Sequence, residues 1–251
     1  MRGEGGAVRG PELSIILPVY NEVESLPVLW DEVRETIEIL RRTTEVIFVD
    51  DGSHDGSTDF LQDLAKSDPR VRLVRFETNA GLSAAFYAGY QAARVAAVAT
   101  MDSDLQTNPR DLVALFTRFA NADAVVGWRS IRHDTWLKRI SSKIANTVRD
   151  RVTHERVRDS ACSLRLMRRQ CLAAIPPYAG MHRFVPTLLH IAGYNVVEVP
   201  VTHRKRQYGK SKYGVRNRIV TASVDLFAVR WMMSRRLRYR VAEDTGGVEG
   251  T

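Results

Sequence analysis

The sequence predicts an α/β fold, a mostly parallel sheet flanked by helices with an amphipathic helical tail behind it, and three observations predict it. Short apolar runs recur at Leu13 to Pro18, Val46 to Val49, Val71 to Phe76, Ala96 to Met101 and Ala124 to Val126, which is how strands buried on both faces read. Helical patterns lie between the runs, as crossovers between parallel strands require. Carboxylates then cluster directly after the runs, where open parallel sheets bind their ligands.

The elements follow in order. Residues Met1 to Pro11 are Gly-rich, carry no apolar core of the kind a signal peptide needs, and read as a loose tail. After the first strand, Val23 to Arg42 places Leu26, Leu29, Val33, Ile37 and Leu40 at spacings of three and four, so one stripe of a helix faces a core. Two further crossovers are expected at Ser57 to Ala65 and Leu82 to Val95. No Gly-x-Gly-x-x-Gly follows the first strand and no Gly-Lys-Ser or Gly-Lys-Thr occurs, which removes most of the weight from dehydrogenase and P-loop readings.

At 251 residues, with 44% hydrophobic and 26% charged residues, the chain can bury a core without staples. Cys162 and Cys171 are its two cysteines and have no metal-like spacing, so neither a disulfide framework nor a zinc site is expected. The formal charge is +8, concentrated from Arg129 onward. A basic half implies an anionic partner, and nucleic acid, an anionic membrane surface or a phosphorylated substrate would each satisfy it. No run reaches the roughly 18 to 20 apolar residues that span a bilayer as a helix, so peripheral membrane contact is the expectation.

Asp102, Ser103, Asp104, Leu105 and Gln106 follow the fourth run. Two carboxylates at i and i+2 with an amide oxygen two further on can converge on a hard cation that leaves positions for substrate phosphates. Taken alone, the segment also reads as a turn before an Asp-capped helix near Pro109. Two other clusters accompany it, Pro18-Val19-Tyr20-Asn21-Glu22 after the first strand and Val49-Asp50-Asp51-Gly52-Ser53-x-Asp55-Gly56-Ser57 after the second.

The trio P-V-Y-N-E, V-D-D-G-S-x-D-G-S and D-S-D-L-Q, in this order and spacing, resembles the family 2 glycosyltransferases, which have the GT-A fold. The resemblance implies donor binding by Pro18, Tyr20, Glu22, Val49 and Asp51, and a diphosphate and Mg²⁺ or Mn²⁺ site at Asp102, Ser103, Asp104 and Gln106, with Asp104 and Gln106 on the metal. The second half is similar to the branch that glycosylates polyprenyl phosphates, through Gly127-Trp128-Arg129, Lys138-Arg139-Ile140-Ser141-Ser142 with Asn146, Asp159 to Arg165, and Pro200 to Gly214. That likeness implies a lipid phosphate at Arg129, Arg139 and Ser142, with Arg206 and Lys212 closing over the donor diphosphate; Asp102, Asp104 and Arg129 become the catalytic set. Trp128 and the Cys162-Ser163-Leu164-Arg165 stretch depart from the branch's usual residues and bear on substrate identity.

From Val215 to Arg240 seven arginines accompany one acid, Asp225, while Val220, Val224, Phe227 and Trp231 recur at helical spacing. Such a helix suits a membrane interface, and packing its stripe on the core is the alternative. The expected organisation is therefore a tail at 1–11, a GT-A domain at 12–214, an amphipathic basic helix at 215–240 and a second tail at 241–251. The expected activity is inverting transfer of a hexose from a UDP- or GDP-sugar to a polyprenyl phosphate, by a protein held peripherally at the cytoplasmic face of the cell membrane. Two rivals are a saccharide hydroxyl acceptor and a non-catalytic anionic-surface or nucleic-acid binding module. Nucleic acid is not expected as a partner, because no aromatic platform is interleaved with the basic run.

Overall fold

A computed structural model describes residues 11–130, 157–208 and 215–235, the first nine residues of the last segment by their backbone alone. Residues 1–10, 131–156, 209–214 and 236–251, and with them Arg139, Ser142, Lys212 and the end of the expected 215–240 helix, lie outside the described residues. The expected parallel core is present. Strands β1 (Leu13–Val19), β2 (Thr44–Asp50), β3 (Val71–Arg75) and β4 (Ala97–Thr100) run parallel, and β1 lies between β2 and β4. With β5 (Ala124–Arg129), β6 (Arg165–Arg168) and β7 (Val196–Val201) they form a seven-stranded sheet in the order β3-β2-β1-β4-β6-β5-β7.

β6 is antiparallel to both β4 and β5, whereas β5 and β7 pair in parallel. The sequence hid β6 because it is four residues long with an arginine at each end, and the first of them, Arg165, is itself buried. No apolar run announces such a strand.

Period-two alternation sends successive residues of the central strands to opposite layers. Leu13, Ile15 and Leu17 of β1 enter one cluster with α1 (Leu26–Leu40), α2 (Ser57–Ser67) and α4 (Asp111–Phe119). Ile16 enters the other, with α3 (Leu82–Ala92), the short 3₁₀ turns η1 (Arg169–Ala174) and η2 (Met181–Arg183), α5 (Val185–Ala192) and α6 (Val215–Ser234). The expected α1 stripe is the one that buries: Leu26, Leu29, Val33 and Ile37 all face the core.

The tail helix differs from its simplest reading. Its core contacts come from Leu226 and Val229, while Val224, Phe227 and Trp231 are 63%, 69% and 64% exposed. Apolar residues therefore occupy two opposite faces of α6, and the stripe legible in the sequence is the outward one. Among the described residues no helix is long and apolar enough to cross a membrane.

Candidate active site

The site opens where the sheet splits. The β1–β4 ladder ends at Ile16 and Thr100, whereas β1 and β2 stay paired to Val19 and Asp50. The Asp102–Gln106 turn fills the gap: the Ser103 hydroxyl donates to the Pro18 carbonyl at 2.7 Å, and Ser25 Oγ donates to the Ser103 carbonyl at 3.1 Å. Leu105 takes a left-handed φ of 60° while 1% exposed, so its side chain anchors the turn in the core against backbone strain. Pro18 and Val49 are register partners and buried, which leaves them their backbone and their shape to act with.

Asp102 and Asp104 flank Ser103 at the mouth. The Asp102 amide donates to Ser163 Oγ at 3.1 Å, and Asp104 Oδ1 accepts from the Gln106 amide at 3.1 Å. Burial, then the charge of Asp104, pushes the Asp102 carboxyl up to about 6. Two carboxylates that resist sharing charge in this way form a place where a cation is favoured.

The place already selects positive charge. Arg206 reaches in from the loop after β7, its guanidinium paired with Glu22 and lying 3.8 Å from Asp104 Oδ2. Among the described residues no three His, Cys, Asp or Glu side chains gather to enclose an ion. Mg²⁺ is characteristically held by one or two carboxylates plus substrate phosphates, and Asp102 and Asp104, with Gln106 half-buried beside them, fit that donor set.

The loop carrying Arg206 is fastened to the same turn. Thr107 and His203 form a β-bridge, the Arg204 amide donates to the Gln106 carbonyl at 2.9 Å, and Thr202 Oγ1 donates to Asp111 Oδ2 at 2.6 Å. Arg204 also pairs with Glu32 at 2.6 Å.

At the end of β2 the two acids have separate tasks. Asp50 is fully buried and accepts from the Ser53 amide at 3.0 Å and from the Thr58 hydroxyl, holding the turn into α2. Asp51 accepts from the amides of Ala80 and Gly81 at 2.6 and 2.9 Å and from Asn79 Nδ2 at 2.9 Å. Burial raises its carboxyl pKa and those amides oppose the rise. Gly52 makes the clamp possible: a Cβ there would meet the Thr78 carbonyl carbon at 2.7 Å, and its φ is +72°. Asp51 thus holds the β3–α3 loop against the site, a role the motif alone does not display.

Tyr20 is half-buried at the rim, and the Glu22 amide donates to Ser57 Oγ at 3.0 Å, tying the first motif to the second. On the far side, at the end of β5, Arg129 is not an open fork. Its Nε and Nη2 donate to Asp159 at 2.6 and 2.9 Å, and the carboxylate side chain is 3% exposed. Cys162 follows in the same wall, its thiol pushed up to about 11 by burial and then by the charge of Asp159, which keeps it protonated and unreactive.

The structure thus gathers Pro18, Tyr20, Glu22, Val49, Asp51, Asp102, Ser103, Asp104, Gln106 and Arg206 around the ends of β1, β2 and β4, with Arg129 at the end of β5. Ser163 and the buried Arg165 went unassigned in the sequence. Ser163 holds both Thr100, through its carbonyl at 2.6 Å, and Asp102, and the run Asp159 to Arg165 was its only signal.

An α/β sheet with acidic turns at the carboxyl ends of its strands, crossed by a basic loop, defines a nucleotide-dependent transferase of the GT-A kind. The chain belongs to glycosyltransferase family 2: the model of that family, "Glycosyl transferase family 2", matches residues 14–175. The chain is 32% identical over 244 residues to the dodecaprenyl-phosphate galacturonate synthase of Rhizobium johnstonii, covering 95% of this chain and 72% of that protein. It is 35% identical to the undecaprenyl-phosphate 4-deoxy-4-formamido-L-arabinose transferase of Aeromonas hydrophila, covering 81% of this chain and 63% of that one, so it spans under two thirds of the latter's length. The fold is shared with a mannosyltransferase from Pyrobaculum calidifontis solved with GDP-Man and Mn²⁺ (TM-score 0.65, 20% identity, 93% of this chain and 67% of that one). It is also shared with the Mycobacterium tuberculosis glucosyl-3-phosphoglycerate synthase solved with Mn²⁺ and UDP (TM-score 0.62, 18% identity, 89% and 80%).

Proposed function

We propose that this glycosyltransferase moves a hexose from a UDP- or GDP-sugar to a polyprenyl phosphate, with inversion, while bound peripherally to the inner face of the cell membrane. The donor half of the reading rests on the acidic mouth. Asp102, Asp104 and Gln106 would hold Mg²⁺ or Mn²⁺, which when bound neutralises charge developing on the departing nucleoside diphosphate. Glu22 and Asp51 frame the nucleoside side with Pro18, Tyr20 and Val49, and Ser103 fixes the turn. Arg206 would exchange carboxylate for phosphate oxygens, which suit its planar fork equally well, and Lys212 would join it.

The acceptor half is carried by one observation, the outward apolar stripe of α6. Val224, Phe227 and Trp231 lie beside Arg230 and Arg235 on a helix whose other face is already seated on the core, so the stripe remains for an interface with lipid. The likeness to a polyprenyl-phosphate enzyme over 95% of the chain, beyond residue 175 where the family match stops, supports the same acceptor. Arg129, with Arg139 and Ser142, would meet its phosphate.

A phosphate monoester is anionic near neutral pH and attacks the anomeric carbon without a dedicated base. A saccharide hydroxyl would need one, and Asp159, the acid best placed by sequence, is committed to Arg129. That favours the phosphate acceptor. Incubating the chain with donor, Mn²⁺ and either undecaprenyl phosphate or a saccharide acceptor tests the choice; label confined to the saccharide would overturn it.

A further inference from the structure

A cavity of about 380 Å³ opens between the first turn of α3 and the segment from Pro177 to Arg183. None of its lining side chains belongs to the three acidic motifs. Leu82, Tyr87 and Met181 give it apolar walls, and Ser83 and His182 give it a polar edge. Its position follows from two contacts. Ala80 and Gly81, which form one rim, are the residues whose amides Asp51 grips. His182, on the other rim, has its carbonyl held by Arg165 Nη2 at 2.7 Å, and Arg165 is the register partner of Thr100, two residues before Asp102. The cavity therefore adjoins the donor-side acid on one flank and the cation-side acid on the other.

Resting on the donor reading above, we propose that this cavity receives the glycosyl ring of the nucleotide sugar and that His182 and Ser83 read its hydroxyl pattern. The volume is in the range of small-molecule sites. A sugar ring offers C–H faces to apolar walls and hydroxyls to a polar edge, which matches this lining. The pair is also held in place. The Gly180 amide donates to Ser83 Oγ at 2.8 Å, and the same hydroxyl lies 2.7 Å from His182 Nδ1, in hydrogen-bond contact with it. Gly180 is packed so closely on α6 that a Cβ would meet Asp225 Oδ2 at 2.2 Å, and Arg183 pairs with Asp225 at 3.3 Å. Both contacts fix the backbone that bears His182.

A polar edge built to hydrogen-bond one hydroxyl arrangement penalises another, because its own groups are then left unpaired. The residues should accordingly govern sugar affinity and leave nucleotide affinity alone. The test is calorimetry with Mn²⁺ on the full chain and on Ser83→Ala, His182→Asn and Tyr87→Ala, titrating UDP, UDP-glucose, GDP and GDP-mannose. The expected result is weakening of the nucleotide sugar by about tenfold, with the nucleoside diphosphate held within about twofold. Equal loss of both ligands, or loss of neither, would overturn the sugar site. Thermal melts identify any variant that fails to fold, and Ser83→Ala, a small change, keeps the test alive. A wild-type chain that binds none of the four ligands would instead sink the donor reading itself, a separate outcome.

Discussion

Arg206 sits on Glu22, 184 residues away in the chain. At the residue scale the acids of this site were legible and their partners were not. Asp102, Asp104, Asp51 and Glu22 stand in compact motifs directly after strands, and short-range spacing exposes them. Pairings such as Arg206 with Glu22, Arg129 with Asp159 and Ser83 with His182 depend on how distant segments meet, which periodicity does not encode.

Three predictions belong at this scale. Asp104→Ala should reduce transfer by about 100-fold or more and abolish the Mn²⁺ dependence of donor binding, since a cation supplies several kcal/mol of charge stabilisation. Unchanged turnover of EDTA-stripped protein given Mn²⁺ would refute its role. A proton also competes with the cation at Asp102. Its carboxyl is raised from 3.8 to about 6, so Mn²⁺ affinity should fall between pH 7 and pH 5. The same shift means that this group's contribution to the metal-free fold is full at low pH and is lost as pH climbs through about 6. Isothermal titration at the two pH values reads the first effect. Finally, Arg129→Ala removes the guanidinium from a carboxylate that is 3% exposed, and breaking such a pair should cost about 3 kcal/mol. Arg129→Ala with Asp159→Asn should regain part of that loss. A double variant no more stable than the single one in urea would show that the ion pair is not what the mutation breaks.

At the scale of elements, the five strands written as apolar runs and the α1 stripe were correctly legible, because both faces of a buried strand and one face of a packed helix are apolar. β6 was not, since two of its four residues are arginines. The α6 stripe was visible, but its destination was not: Leu226 and Val229 make the core contact on the opposite face. That difference sets up a paired test. Phe227→Glu with Trp231→Glu should abolish sedimentation with anionic vesicles and leave the melting temperature nearly unchanged, because both side chains are exposed. Val229→Asp, which puts a charge at a fully buried position, should instead lower the melting temperature sharply. Vesicle binding that survives the double substitution would return α6 to a purely structural role.

At the scale of the whole molecule, the sheet, the acidic mouth and the outward stripe form one arrangement. On the proposed reading, a nucleotide sugar is held by turns at the strand ends, while the helix beside it would present its stripe to the membrane that carries a lipid acceptor. The reaction class was readable because three motifs in one order specify it jointly. The sugar was not, because the cavity that would contain it is built from α3 and the 177–183 segment, which no motif links. The most direct measurement is mass spectrometry of lipids after the purified chain is incubated with Mn²⁺, a panel of UDP- and GDP-sugars and undecaprenyl phosphate in anionic vesicles. The account predicts one polyprenyl phosphate product heavier by a single glycosyl residue, absent when Mn²⁺ is chelated. Unmodified lipid in a reaction that glycosylates a saccharide acceptor from the same donor would contradict it.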